Sequence, residues 1–231
     1  MAAIVIQLVF IIHPLIASAA GCGSTDGHGR ANAYSGAGDN VGTGVITNTW
    51  SSWFLQNYSK DFAVDAAWLA NNNNYNDSIE AGISTGETVY GSWASTIYPY
   101  YTLNNGQNET DYLTQVFPTN TVIGMDIWQY APGSGGTNIY VGNNSGVGGY
   151  LYLNGSYYVG TPRLNFSQGE VNPGVAPNTM SGGEDGFIGY YLPYQGAQWT
   201  LWGFQTECAD SPYYIYPYSG SPNDSWISGG P

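Results

Sequence analysis

The sequence predicts an all-β protein, an antiparallel two-sheet β-sandwich of the jelly-roll or concanavalin-like type. Two observations carry that expectation. First, the composition suits pleated surfaces joined by tight turns: 21 Tyr, 8 Trp and 33 Gly in 231 residues, with Asn and Ser throughout. Second, no window of about 15 residues places apolar side chains at helical spacing, whereas short segments alternate or run apolar at strand length.

The strands are read in order. "FAVDAAWLA" (62–70) is the first clear one. "NDSIEAGIS" (76–84) alternates, with Ile79, Ala81 and Ile83 toward one face and Ser78, Glu80 and Gly82 toward the other. A carboxylate among such small residues calls for a reason. "VIGMDIWQY" (122–130), "TNIYVG" (137–142) and "WTLWGF" (199–204) read as further strands. In "GYLYLNGSYYVG" (149–160), Asn154-Gly155 fits a type I′ turn between two aromatic strands. Two antiparallel sheets packed face to face use this pattern well. No internal repeat of fixed period and no long linker interrupts it.

Residues 1–20 read as a secretory signal: an apolar run reaches His13-Pro14, and small residues follow to Ala20. Roughly 15 apolar positions are too few to span a bilayer, so no membrane association is expected after cleavage. Residues 21–39 form a flexible Gly-rich segment, and 40–231 one sandwich domain, secreted to the extracellular space. Seven Asn-x-Ser/Thr sequons occur, at Asn57, Asn76, Asn108, Asn143, Asn154, Asn165 and Asn223. Three Lys and Arg stand against 16 Asp and Glu, for a net charge of −13. That balance excludes nucleic acid as a partner, because phosphate binding needs clustered cations. It fits either a surface kept soluble by self-repulsion or tolerance of acidic surroundings. The sequence leaves the oligomeric state open.

Elimination narrows the chemistry. Outside the signal the one histidine is His28, in an irregular Gly-rich stretch, so Ser-His-Asp and Cys-His arrangements lack their imidazole. Cys22 and Cys208 cannot build a zinc cage alone; in an oxidising compartment they are candidates for a mutual disulfide. No phosphate-cradling loop and no calcium loop appears, so neither a cofactor nor a metal is expected. An enzyme built from this chain must work through carboxylates. Glu80 and Glu170 stand out, each where a strand meets small residues that let a substrate backbone approach. Asp126, in "GMDIWQY", is a third carboxylate that reads more simply as an outward charge on a strand.

At these two glutamates the sequence resembles the neprosin family of secreted glutamic peptidases. The family carries "NSIEAGW", "YGD…FTYW", "WGGEV", a Met-Gly-rich stretch and a C-terminal "YYGGPG". This chain has, in the same order, "NDSIEAGI", "GETVYGSW…YPYYTLNNGQ", "SQGEVNPG", "PNTMSGG" and "SWISGGP". The likeness spans roughly residues 40–231. "SQGEV" stands in place of "WGGEV", which removes the aromatic beside the second Glu, and Ile83 stands where the family often has Trp. The resemblance implies a two-sheet sandwich and an acid-active endopeptidase with a preference for cleaving after proline. It also implies Glu80 and Glu170 as the catalytic pair acting on a polypeptide substrate. A more distant likeness is to the eqolisins, in which a Gln stands where Glu80 stands here. Two nearby carboxyls do not both ionise easily, so the pair is expected to titrate as a unit. Glu170 is then the base and Glu80 the neutral acid. Trp93, Tyr98, Tyr100 and Tyr101 follow the first Glu block and are candidates to line the substrate groove, or else ordinary core. Two rival readings remain: a two-glutamate jelly-roll glycosidase, and a non-catalytic carbohydrate-binding or surface sandwich.

Overall fold

The computed structural model describes residues 29–34, 38–49, 62–87, 93–103, 108–111, 115–130, 136–153, 157–171, 184–201, 206–210, 214–217 and 224–228. Among these residues there are fifteen strands and no helix. They are β1 (Gly29–Tyr34), β2 (Gly42–Asn48), β3 (Phe62–Asn71), β4 (Asn74–Glu87), β5 (Trp93–Leu103), β6 (Asn108–Asp111), β7 (Val122–Gln129) and β8 (Thr137–Asn143). There follow β9 (Gly148–Leu153), β10 (Arg163–Val171), β11 (Glu184–Leu192), β12 (Thr200–Leu201), β13 (Thr206–Ala209), β14 (Tyr214–Pro217) and β15 (Asp224–Ser228). The first sheet runs β13-β1-β10-β3-β4-β5-β6; the second runs β14-β15-β11-β2-β7-β8-β9, with β12 paired to β11. Every pairing is antiparallel. The expected sandwich is the observed one.

Alternation decides which side chains fill the space between the sheets. In β7, Ile123, Met125 and Ile127 are fully buried while their neighbours are partly open. Across from them, Ile79, Ala81 and Ile83 of β4 and Ala67 and Leu69 of β3 join the same core. β3 lies in the middle of its sheet and is covered on both faces. It approaches β4 so closely at the Ala66–Gly82 pair that a Cβ on Gly82 would sit 2.2 Å from the Asp65 carbonyl oxygen. Glycine is therefore the residue this pairing requires.

Three local expectations need correction. β9 does not form a hairpin through Asn154-Gly155: it pairs with β8, and Tyr157–Gly160 form no strand, while residues 154–156 lie outside the described residues. The hairpin turn is the earlier one, where the Asn143 side-chain oxygen accepts from the amides of Ser145 (2.9 Å) and Val147 (3.0 Å). That Asx-type turn, with Gly146 at φ 83° and Gly148 at φ 112°, meets the backbone's needs locally and takes the register. "WTLWGF" contributes only the two residues of β12, its last three lying outside the described residues. Finally, the Gly-rich segment 21–39 is not wholly irregular, because Gly29–Tyr34 is β1, hydrogen-bonded between β10 and β13. The signal segment lies outside the described residues. Among the sequons whose side chains are described, Asn76 is exposed, whereas Asn143 and Asn165 are buried.

One of the chain's few cations is spent on architecture. Arg163 opens β10 and is 1 % exposed. Its Nε donates to the Val159 carbonyl (2.8 Å), Nη1 to the Asn40 carbonyl (2.6 Å) and Nη2 to the Tyr158 hydroxyl (2.5 Å). The guanidinium also lies 4.9 Å from the Tyr158 ring centroid. It thereby ties the segment before β10 and the one between β1 and β2 to the start of the strand that carries Glu170. Arg163→Met keeps the bulk but orphans two buried carbonyls. It is expected to lower unfolding free energy by about 2–5 kcal/mol in urea titrations. An unchanged midpoint would show that those carbonyls find other donors.

Candidate active site

Glu80 and Glu170 lie on the same face of the first sheet. Glu170 pairs with Val64 of β3, which pairs with Ser84 of β4; Glu80 pairs with Trp68 of β3, which pairs with Phe166 of β10. Because Phe166 and Glu170 are four residues apart on one strand, the alternation puts both carboxylates on the side away from the apolar core. One strand stands between them, and their rows are four residues apart. On a flat lattice that offset is about 16 Å between Cα atoms, too far for backbone neighbours, so any approach of the two carboxyls has to come from side-chain reach and sheet coiling. The row midway between them reads Gln168, Ala66, Gly82, Tyr100. Its two central positions carry nothing larger than a methyl group.

Each carboxylate has donors built around it. The Tyr100 hydroxyl donates to Glu80 Oε1 (2.5 Å) and the Thr102 hydroxyl to Oε2 (3.0 Å). Gln168 Nε2 donates to Glu170 Oε2. Both glutamates are buried, at 6 % and 9 % exposure, so these bonds act where water screens little. The difference in donor type matters. An amide N–H can only donate, whereas a hydroxyl can donate to a carboxylate or accept from a carboxylic acid. The surroundings of Glu80 accommodate either protonation state.

The aromatic candidates divide. Tyr98 pairs with Ser84 and Tyr100 with Gly82, on the glutamate face; Tyr101 pairs with Ala81 and shares the core face. Tyr101 is thus core rather than groove, as strict alternation demands of two adjacent residues. Trp93 opens β5, but its side chain lies outside the described residues. Cys208 is disulfide-bonded; Cys22, the other cysteine of the sequence, lies outside the described residues. Among the described residues no three His, Cys, Asp or Glu side chains gather as a metal site would need. Sequence reasoning missed Gln168, Thr102 and Trp68. Trp68 stacks on Phe166, with ring centroids 4.9 Å apart and planes 18° from parallel, in the row of Glu80. Its buried Nε1 has no hydrogen-bond partner. Trp68 reaches Glu80 through the β3–β4 pairing and Thr102 through the β4–β5 pairing, which local pattern does not reveal; Gln168 precedes Glu170 by two residues on β10, where alternation alone places it on the same face.

Comparison with known protein families and with curated proteins returns no match. Solved structures do match. A scytalido-glutamic peptidase bound to a peptide-based transition-state analogue aligns with a TM-score of 0.59 at 10 % identity, covering 88 % of this chain and 98 % of that one. SCP-B, a member of the eqolisin family of peptidases in complex with the tripeptide Ala-Ile-His, aligns at 0.53 and 10 % identity with the same coverage. A second scytalido-glutamic peptidase complex, with a transition-state analogue inhibitor, aligns at 0.51 and 12 % identity, again with the same coverage. The chain therefore has the sandwich fold of the eqolisin glutamic peptidases.

Asp126 stands apart from this site, on the outer side of the second sheet, where it pairs with Gly44 and Tyr140. Burial pushes its carboxyl up to about 7 from 3.8. The folded state therefore holds a proton that the unfolded chain gives up near its ordinary value. Asp126 costs no stability below about pH 3.8, and stability is lost progressively as pH rises to about 7. Asp126→Asn cannot ionise. It is expected to match the wild type in urea unfolding at about pH 3.5 and to exceed it by up to about 4 kcal/mol at pH 8. A difference that stays constant across that range would contradict the assignment.

Proposed function

We propose that this protein is a secreted, acid-active glutamic endopeptidase in which Glu170 and Glu80 act together on a water molecule and a peptide bond. The observation that supports it most is the placement of both glutamates on one face, flanking a row whose centre is Ala66 and Gly82. That low row puts no side chain larger than a methyl group in the line between them. The fold likeness to peptidases solved with peptide-like ligands supports the same substrate class.

In the proposed mechanism Glu170, positioned by the Gln168 amide, takes a proton from water as its oxygen adds to the scissile carbonyl carbon. Glu80, protonated and steadied by Tyr100 and Thr102, donates a hydrogen bond to the developing oxyanion. The proton gained by Glu170 passes to the leaving nitrogen as the C–N bond breaks. One proton must remain on the pair, so activity belongs to the acidic range. Membership of the neprosin family, and cleavage after proline with it, form part of this proposal on the strength of the ordered sequence blocks.

Substitution by the near-isosteric amide separates the roles. Glu170→Gln is expected to lower turnover about 10³-fold or more, because no base remains. Glu80→Gln keeps a donor for the oxyanion, so a loss of only about 10–100-fold is expected, with the pH optimum moved upward. Peptides released from a mixed proteome between about pH 2 and 7, read by mass spectrometry, report activity, pH range and the residue before the cut. Full activity in both variants would sink the proposal; a near-complete loss in Glu80→Gln alone would reverse the roles.

A further inference from the structure

We propose a second binding site, on the outer face of the second sheet, for a neutral oligosaccharide of pyranose sugars. Two adjacent rows build it. One reads Tyr190, Gly44, Asp126, Tyr140, Tyr150 across β11, β2, β7, β8 and β9; the next reads Leu192, Gly42, Trp128, Asn138, Tyr152. These side chains alternate with the buried Val45, Met125 and Ile127, so they point away from the core.

The rings are open to solvent and set against one another. Tyr150 is 74 % exposed, Tyr152 55 % and Trp199 39 %. The Tyr150 ring lies 4.6 Å from Tyr140, tilted, and 6.1 Å from Trp128, edge-on. From the other side the Trp199 ring comes within 3.3 Å of where a Cβ on Gly44 would stand, and Asp126 Oδ1 within 2.5 Å of the same point. The carboxyl therefore lies over a glycine, between Trp199 and the tyrosines. It accepts no hydrogen bond from a described residue. Next to it the Asn138 Nδ2 is a buried donor with no partner.

Flat aromatic faces interleaved with an unpaired acceptor and an unpaired donor suit a pyranose chain, which offers C–H faces and hydroxyl edges in alternation. Other occupants fit less well. β2, β7 and β8 are central strands whose backbone groups are spent on neighbours, so a peptide cannot add here as a strand. A second copy, or an acidic sugar, would bring further negative charge against a chain whose net charge is −13 at pH 7. The platform spans about three strand spacings, or roughly 14 Å, enough for a short oligosaccharide.

Cellohexaose and N-acetylchitohexaose, titrated separately at about pH 5 and followed by calorimetry and Trp fluorescence, test this site. At least one is expected to bind saturably. Tyr150→Ala and Trp199→Ala, both at exposed positions that leave folding intact, should weaken binding about tenfold or more. Glu170→Gln should bind as the wild type does, which separates this site from the glutamate face. The proposal is overturned if neither sugar binds. It also fails if binding survives both aromatic changes but is lost in Glu170→Gln, or if sedimentation reveals a dimer that Trp199→Ala dissolves.

Discussion

Everything at the glutamate face depends on one constraint, the register carried through β10, β3, β4 and β5. Side chains alternate with a period of two, so a slip of one residue at any of these pairings exchanges the faces. Slipping β4 would drive Glu80 into the apolar space between the sheets and turn Ile79 outward. Two features oppose such a slip. Gly82 lies so close to Asp65 and Ala66 that no other residue fits opposite β3 at that point. Arg163 fixes the first residue of β10 through the carbonyls of Val159, just before that strand, and Asn40, between β1 and β2. The apolar set Ile79, Ala81 and Ile83 adds the larger thermodynamic term, since burying each such side chain is worth about 1.5–3 kcal/mol for the isoleucines. Packing chooses the face, and the close contacts hold the register.

Much of this was legible because the signals are local. Alternation in "NDSIEAGIS" and "VIGMDIWQY" announces strands and their inner faces without knowledge of any partner. Pairing is another matter, because it is decided by contacts between residues far apart in the chain. The Asn154-Gly155 pair carried a good turn signal, yet Asn143 closed a tighter, side-chain-capped turn first. Beside Glu170 the sequence shows a lost aromatic, with Ser167 standing at the Trp of the family's "WGGEV". In the fold the next residue, Gln168, donates to that carboxylate, and Trp68 and Phe166 supply aromatic surface from the row of Glu80.

The hydroxyls of Tyr100 and Thr102 donate to Glu80, and the amide of Gln168 donates to Glu170. Arg163, a cation that could have served, is occupied with backbone carbonyls and a tyrosine instead.

The same scarcity of cations bears on survival in acid. Ordinary proteins unfold there largely because protonated carboxyls abandon their ion pairs and leave a crowd of uncompensated positive charges. Here full protonation leaves only three Lys and Arg and two His in the whole sequence to repel one another. Arg163 keeps its partners, since carbonyls and a phenol do not titrate in that range. Asp126 works in the same direction, because the neutral carboxyl that acid imposes is the form its burial already favours. A fold whose few cations are far from numerous enough to repel it apart has little to lose as pH falls. That electrostatic economy and the proposed proton-sharing pair make the same demand on the environment.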